Sequence, residues 1–202
     1  MIMNRLIMIS TILLFTLPCA AQKAGKKKPV TKTPVVATVP DNPDKYNCIR
    51  KGNMTLAERM NNYPFNAAAK IEIISFDANG ADAHGNPLRK IPASHDTVFY
   101  SRVRELQALT PMYIDKLTDI LYNQGFPGKV YDLDTKCYEP RNGILFSDSA
   151  GRLIDYIEIC FECGKAKPGS SRVSLGELCD KKMDMIKELF IINGIRFGTL
   201  EK

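Results

Sequence analysis

The sequence predicts an α+β domain in which two main helices and a short leading helix lie on one face of an antiparallel sheet of about four strands. Three observations point there. Two stretches carry apolar residues at helical spacing behind start signals, four stretches have strand character, and strands and helices follow one another in an order that lets the helices share one face. Neither element type can bury its apolar side alone, so a two-layer sandwich is the simplest arrangement.

The leading helix starts at the capping-box pattern Thr55-Leu-Ala-Glu58 and ends before Pro64. Lys70 to Phe76 is an apolar strand, and Thr97 to Val103 is expected to be a second. Thr110-Pro111, a cap followed by proline at the first helical position, opens a helix that runs to Asn123 before Gly125, with Ile114, Leu117 and Leu121 on one stripe. Gly143 to Ser147 and Leu153 to Phe161 form a hairpin turned by Asp148-Ser-Ala-Gly151. The pattern Ser174-Leu-Gly-Glu177 starts a last helix over Leu175 to Asn193, with Cys179, Met183, Ile186 and Phe190 facing inward.

Residues 1–21 read as a cleavable signal peptide: Arg5, the apolar run Leu6 to Leu17, then Pro18 and the small residues Ala20 and Ala21. Twelve apolar residues make a helix of only about 18 Å, short of a hydrocarbon core of about 30 Å, so no transmembrane segment is expected in the mature chain. Lipid anchoring through Cys19 is disfavoured, because Thr16-Leu17-Pro18 lacks the small residue expected before a lipoprotein cysteine. Export to the periplasm or the cell exterior is the expectation. Residues 22–45, rich in Lys, Pro, Thr and Val, cannot bury enough surface to fold and read as a flexible linker ahead of a single globular domain over 46–202.

The charge is +6, but Lys23, Lys26, Lys27, Lys28, Lys32 and Lys45 against Asp41 and Asp44 place most of it in that linker. The domain itself is near neutral, which argues against a nucleic-acid partner. No nucleophile elbow, phosphate loop, dinucleotide fingerprint or His-Glu-x-x-His motif is present, so no cofactor is expected.

The chain also reads Cys137-Tyr-Glu-Pro-Arg-Asn-Gly-Ile-Leu-Phe, then Tyr156-Ile-Glu-Ile-Cys-Phe-Glu-Cys163. In these residues, and in the helix Ile114-Asp-Lys-Leu-Thr-Asp-Ile-Leu-Tyr122, it resembles a family of uncharacterised exported proteins of Bacteroidetes-type bacteria, from about Lys70 to Gly198. The resemblance implies export and the extent of the domain, and no activity.

Alternation along the second hairpin strand sends Ile157, Ile159, Phe161 and Cys163 to the core and Tyr156, Glu158, Cys160 and Glu162 to the other face. That places Cys163 under the last helix near Cys179, and Cys137 beside Cys160. The expected disulfides are therefore Cys137–Cys160 and Cys163–Cys179, leaving Cys48 single. Unpaired buried thiols, and a zinc site built on Cys160-Phe-Glu-Cys163-Gly, stay open as alternatives. Glu158 and Glu162 lie about 13 Å apart along a strand, too far for a glycosidase pair, and Arg141 opposite Glu158 makes a cross-strand ion pair.

The long connection from Asp77 to Asp96 holds both histidines, His84 and His95, with Asp77, Asn79, Asp82 and Asp96. It lacks the sixth-position glycine and distal glutamate of an EF-hand, so no metal is expected, but its length makes it a candidate binding loop. The expected function is a non-catalytic interaction module that binds a protein or cell-envelope ligand through this loop and the sheet face of Arg141, Tyr156, Glu158 and Glu162. A hydrolase or metal-dependent enzyme built on the same loop is the alternative.

Overall fold

A computed structural model describes residues 46–77, 80–81, 87–128 and 137–202. The main sheet has five strands: β1 (Lys70–Phe76), β2 (Val103–Ala108), β3 (Asn142–Ser147), β4 (Leu153–Cys160) and β5 (Lys165–Pro168). They lie in the order β5-β4-β3-β1-β2, and every neighbouring pair is antiparallel. The helices are α1 (Leu56–Met60), α2 (Pro111–Asn123) and α3 (Lys182–Ile192). The expected α+β sandwich is present, with one strand more than anticipated. That strand, Lys-Ala-Lys-Pro, has no apolar alternation to betray it in the sequence.

One face of the sheet packs on the helices. Ile71, Ile73, Ile144, Phe146, Ile157 and Ile159 meet Leu117, Ile120 and Leu121 of α2 and Ile186, Leu189 and Phe190 of α3, all buried. Phe65 completes this core, edge-on to Phe146 at 5.0 Å between ring centroids. The other face is not left to solvent. The part of the β1–β2 connection that carries Ile91, Ala93 and Val98 covers it: Ile91 joins Ile74, Phe76, Leu145 and Leu153 in a second core, with Ala93 and Val98 alongside. Gly143 makes room for this strap: a Cβ there would sit 2.6 Å from Ile91 Cδ1.

Local signals are obeyed where nothing competes with them. Thr55 and Glu58 close the capping box, with the Glu58 carboxylate accepting the Thr55 N–H at 2.7 Å. The hairpin of β3 and β4 turns at Asp148, whose Oδ1 accepts the N–H groups of Ala150 and Arg152, both at 2.9 Å. A bulge between Leu153 and Asp155 shifts the register, so Ile144 faces Ile157 and Gly143 faces Glu158. The expected pairing of Arg141 with Glu158 is thereby corrected.

Two elements depart from expectation. The second strand begins at Val103, and Thr97–Val98 instead forms a two-residue ladder with Ala93–Ser94 in the strap. The last helix begins at Lys182, seven residues after Leu175, because the Ser174–Glu177 capping box does not form. Gly176 there has φ +66°, in the left-handed region, and a Cβ on it would lie 1.9 Å from the Leu121 carbonyl oxygen. The segment is spent crossing the C-terminal end of α2 rather than starting a helix.

The N-terminal part of the domain is fastened to the helices by charge and sulfur. Ile49–Arg50 pairs with Gln124–Gly125, and the Arg50 guanidinium binds both carboxylate oxygens of Asp119 at 2.9 Å. Arg59, only 5% exposed, donates to Asp115, to the Met54 carbonyl and to Thr118 Oγ1. No helix among the described residues is long and apolar enough to cross a membrane.

Candidate functional site

Of the six loop residues proposed as a binding site, Asp77, His95 and Asp96 fall among the described residues. Asn79, Asp82 and His84 lie outside the described residues. Asp77 is exposed and 3.5 Å from Arg104. His95 occupies the turn of the small ladder at φ 53°, with Nδ1 3.1 Å from Ser94 Oγ. Asp96 accepts from the Thr97 hydroxyl, and its backbone carbonyl accepts the Leu153 N–H at 2.8 Å. What these last residues do is hold the strap against the hairpin.

The four sheet-face residues are likewise engaged within the fold. Glu158 accepts the Ile91 N–H at 2.7 Å and the Tyr138 hydroxyl at 3.1 Å, so it pins the strap and the Cys137 segment to β4. Burial, reinforced by the neighbouring Glu158 carboxylate, pushes the Tyr138 hydroxyl well above the usual phenol range. Lys167 Nζ lies 3.5 Å over the centroid of the Tyr138 ring. Tyr156 is half-buried beside the second core.

Arg141, the predicted partner of Glu158, binds Glu162 at 2.8 Å and Glu139 at 3.5 Å. Glu162 also takes Lys202 at 2.9 Å. Lys202 first, and Arg141 with it, hold the Glu162 carboxyl down from 4.5 to about 2. A depressed carboxylate contributes stability above its unfolded value and loses it on acidification. Unfolding midpoints measured from pH 4.5 down to about 2 are expected to fall less steeply in Glu162→Gln than in the parent chain. Identical acid limbs would show that the two ion pairs carry no stability.

The sulfurs differ most from expectation. The disulfides are Cys48–Cys179 (S–S 2.00 Å, Cα–Cα 4.9 Å) and Cys137–Cys163 (S–S 2.09 Å, Cα–Cα 5.8 Å). Cys160 is free and buried. Both expected pairs, Cys137–Cys160 and Cys163–Cys179, are thus corrected, as is the single Cys48. The cause is where regular structure stops. Strand alternation ends at Cys160, and the chain then turns through Phe161 to Gly164, at φ 62°, which swings Cys163 back beside Cys160. Phe161 dips to the helix side, edge-on to Phe190 at 5.1 Å. Cys179 precedes α3, where the N-terminal segment passes.

The result is a cluster of three sulfurs. The Sγ atoms of Cys137, Cys160 and Cys163 all lie within 4.8 Å of one another, the one such close group of potential metal ligands among the described residues. Cys137 is exposed, Cys163 half-buried and Cys160 buried beneath them. Metal ligation by cysteine needs thiolates, and two of these sulfurs are bonded to each other. In this oxidation state the cluster is a disulfide with a thiol against it.

The two edges of the sheet are unlike. β5 is four residues long and carries Lys165, Lys167 and Pro168, features that discourage further strand pairing. β2 is six residues long and ends the sheet on the other side. Leu106 on it is 42% exposed, opposite Ile74, and Phe99 and Tyr100 just before it are 42% and 45% exposed. Tyr100 is held by its hydroxyl to Glu72, 3.1 Å away and on the same sheet face as Ile74.

Sequence reasoning missed two buried cations. Lys182 Nζ, in a side chain only 2% exposed overall, donates to the carbonyls of Leu121 (2.8 Å), Leu175 (3.3 Å) and Glu177. Its place on the stripe with Ile186, Leu189 and Phe190 was the available signal, since a lysine on an apolar stripe must find acceptors. Arg59 carried no such signal.

No protein-family profile, curated protein or solved structure matches the chain. Fold and sulfur chemistry define it as a disulfide-bridged α+β domain, compatible with a location outside the cytoplasm.

Proposed function

We propose that the chain is an exported, non-catalytic binding module that takes an extended peptide segment of a partner protein onto the outer edge of β2. The observation that carries this reading is the asymmetry of the two edges: one is short, cationic and proline-ended, the other longer, without a further strand beside it among the described residues, and flanked by exposed apolar side chains. An added strand gains backbone hydrogen bonds along β2 and apolar contact with Leu106, Phe99 and Tyr100.

Export is supported by the signal-like character of residues 1–21, by the likeness to exported proteins of Bacteroidetes-type bacteria, and by two disulfides that suit an oxidising compartment. The linker over 22–45 would hold the module away from whatever lies behind it.

Peptides displayed as extended octamers of mixed β-branched and aromatic residues provide the test. Selected binders are expected to protect β2 amides from hydrogen exchange and to lose about tenfold in affinity against Leu106→Lys, which places a strand-blocking charge on the edge. Binders that protect no β2 amide, or that keep full affinity for Leu106→Lys, would overturn the reading.

A further inference from the structure

A binding module has no evident use for a reduced cysteine packed against a disulfide. Yet Cys160, 1% exposed, holds a thiol whose sulfur is within 4.8 Å of both sulfurs of Cys137–Cys163. The three come from two separate places. Cys160 ends β4 and Cys163 lies in the tight turn that follows, while Cys137 lies on the segment pinned by Tyr138 to Glu158. A buried cysteine that only fills space would be as well served anywhere in the core; this one is placed where thiol–disulfide exchange is a matter of a short sulfur displacement.

We propose that Cys137, Cys160 and Cys163 form a thiol–disulfide exchange site, whose external substrate is a disulfide. In the internal step the Cys160 thiolate attacks Cys163 Sγ. A Cys160–Cys163 bond forms, the Cys137–Cys163 bond breaks, and its electron pair leaves on Cys137 Sγ as a thiolate, while the proton that Cys160 gave up stays in solvent. No net oxidation occurs, so no oxidant is required. The direction follows from exposure: Cys137 is the exposed residue of the three, and a thiolate leaves best where water can solvate it. The freed Cys137 thiolate can then attack an external disulfide R–S–S–R′, forming Cys137–S–S–R and releasing R′–S⁻. Cys160 thus acts as a buried store of reducing equivalents that is delivered to the surface through Cys137.

The cleavage pattern of the chain makes the test direct. Trypsin releases Cys137 in the peptide 137–141, while Cys160 and Cys163 share the peptide 153–165. The native, oxidised full chain is incubated in mildly alkaline buffer with iodoacetamide, or separately with glutathione disulfide, then digested without reduction. The expected result is a carbamidomethyl group or a glutathione on Cys137, together with a peptide 153–165 that contains an internal disulfide. Cys160→Ser should lose the modification of Cys137 in both incubations while keeping the Cys137–Cys163 cross-link, and Cys160→Ala serves the same purpose if the serine variant does not fold. Modification confined to Cys160, or on Cys163 with Cys137–Cys160 cross-linked, would overturn the proposal. So would the absence of any adduct in either incubation, or a Cys137 adduct that persists in the Cys160 variants.

Discussion

Replacing Cys48 and Cys179 together by serine is expected to lower the unfolding free energy by about 4–5 kcal/mol, more than opening the other disulfide. The bridge joins residues 131 apart in sequence, whereas Cys137–Cys163 spans 26 and lies inside that loop. In the chain-entropy account, a cross-link stabilises by restricting the unfolded ensemble, and the restriction grows with the logarithm of loop length. The inner bridge shortens the outer loop only modestly, so the outer bridge keeps most of its effect, against about 3.5 kcal/mol for the inner one. Opening the outer bridge leaves the N-terminal segment held by non-covalent contacts alone: the short ladder of Ile49–Arg50 with Gln124–Gly125 and the ion pairs of Arg50 with Asp119 and Arg59 with Asp115. Urea unfolding of the two double-serine variants checks the order. A greater loss from Cys137→Ser with Cys163→Ser than from the outer pair would contradict it.

Lys182→Met should cost about 3 kcal/mol and remove a pH dependence that the parent chain shows. Methionine keeps the apolar stem, so the loss isolates Nζ, which joins the Leu121 carbonyl near the C-terminus of α2 to the carbonyls of Leu175 and Glu177. Without it these acceptors are buried under a thioether. The same crossing requires glycine at 176, and the two residues together explain why the chain here is not helical. Burial lowers the Lys182 pKa from 10.5 to about 8, although Glu177 opposes the shift. Between those values the unfolded chain holds a proton that the folded chain has released, so stability rises with pH across that window. Tyr122 works against this at the upper end. Burial raises it from 10.0 to about 12, so its contribution is complete below 10.0 and lost as pH climbs through about 12. Chemical denaturation from about pH 7.5 to 10 should therefore show a rising limb in the parent chain that is absent from Lys182→Met. Parallel profiles would assign the limb to other groups.

Much of the scaffold was legible because it rests on contacts close in sequence. Thr55 with Glu58 and the Asp148 turn each satisfy backbone groups within a few residues, Pro111 opens α2 although the Thr110 hydroxyl makes no capping bond, and each appears where the sequence placed it. The alternation of β4 was also legible as far as Cys160, and it correctly sent Ile157 and Ile159 to the helices and Tyr156 and Glu158 away from them. The candidate site was less legible. The outward residues of β4 looked like a solvated face, yet the strap carrying Ile91 and Val98 covers it, and nothing local to β4 reports that cover. The Ser174–Glu177 pattern looked like a helix start, and only the Leu121 carbonyl, more than fifty residues away, overrules it.

By itself, then, the sequence determined the class of the fold, the position of α1, α2 and the β3–β4 hairpin, and which side of β4 meets the helices. Those follow from side-chain periodicity and from hydrogen bonds made within one turn of chain. Tertiary structure alone decided which cysteines are joined, where the last helix begins, and what each outward residue of the sheet touches. A disulfide forms between sulfurs whose backbones approach to within about 6 Å, and here that approach is set by a four-residue turn after Cys160 and by a segment crossing the end of α2, neither of which has a periodic signature.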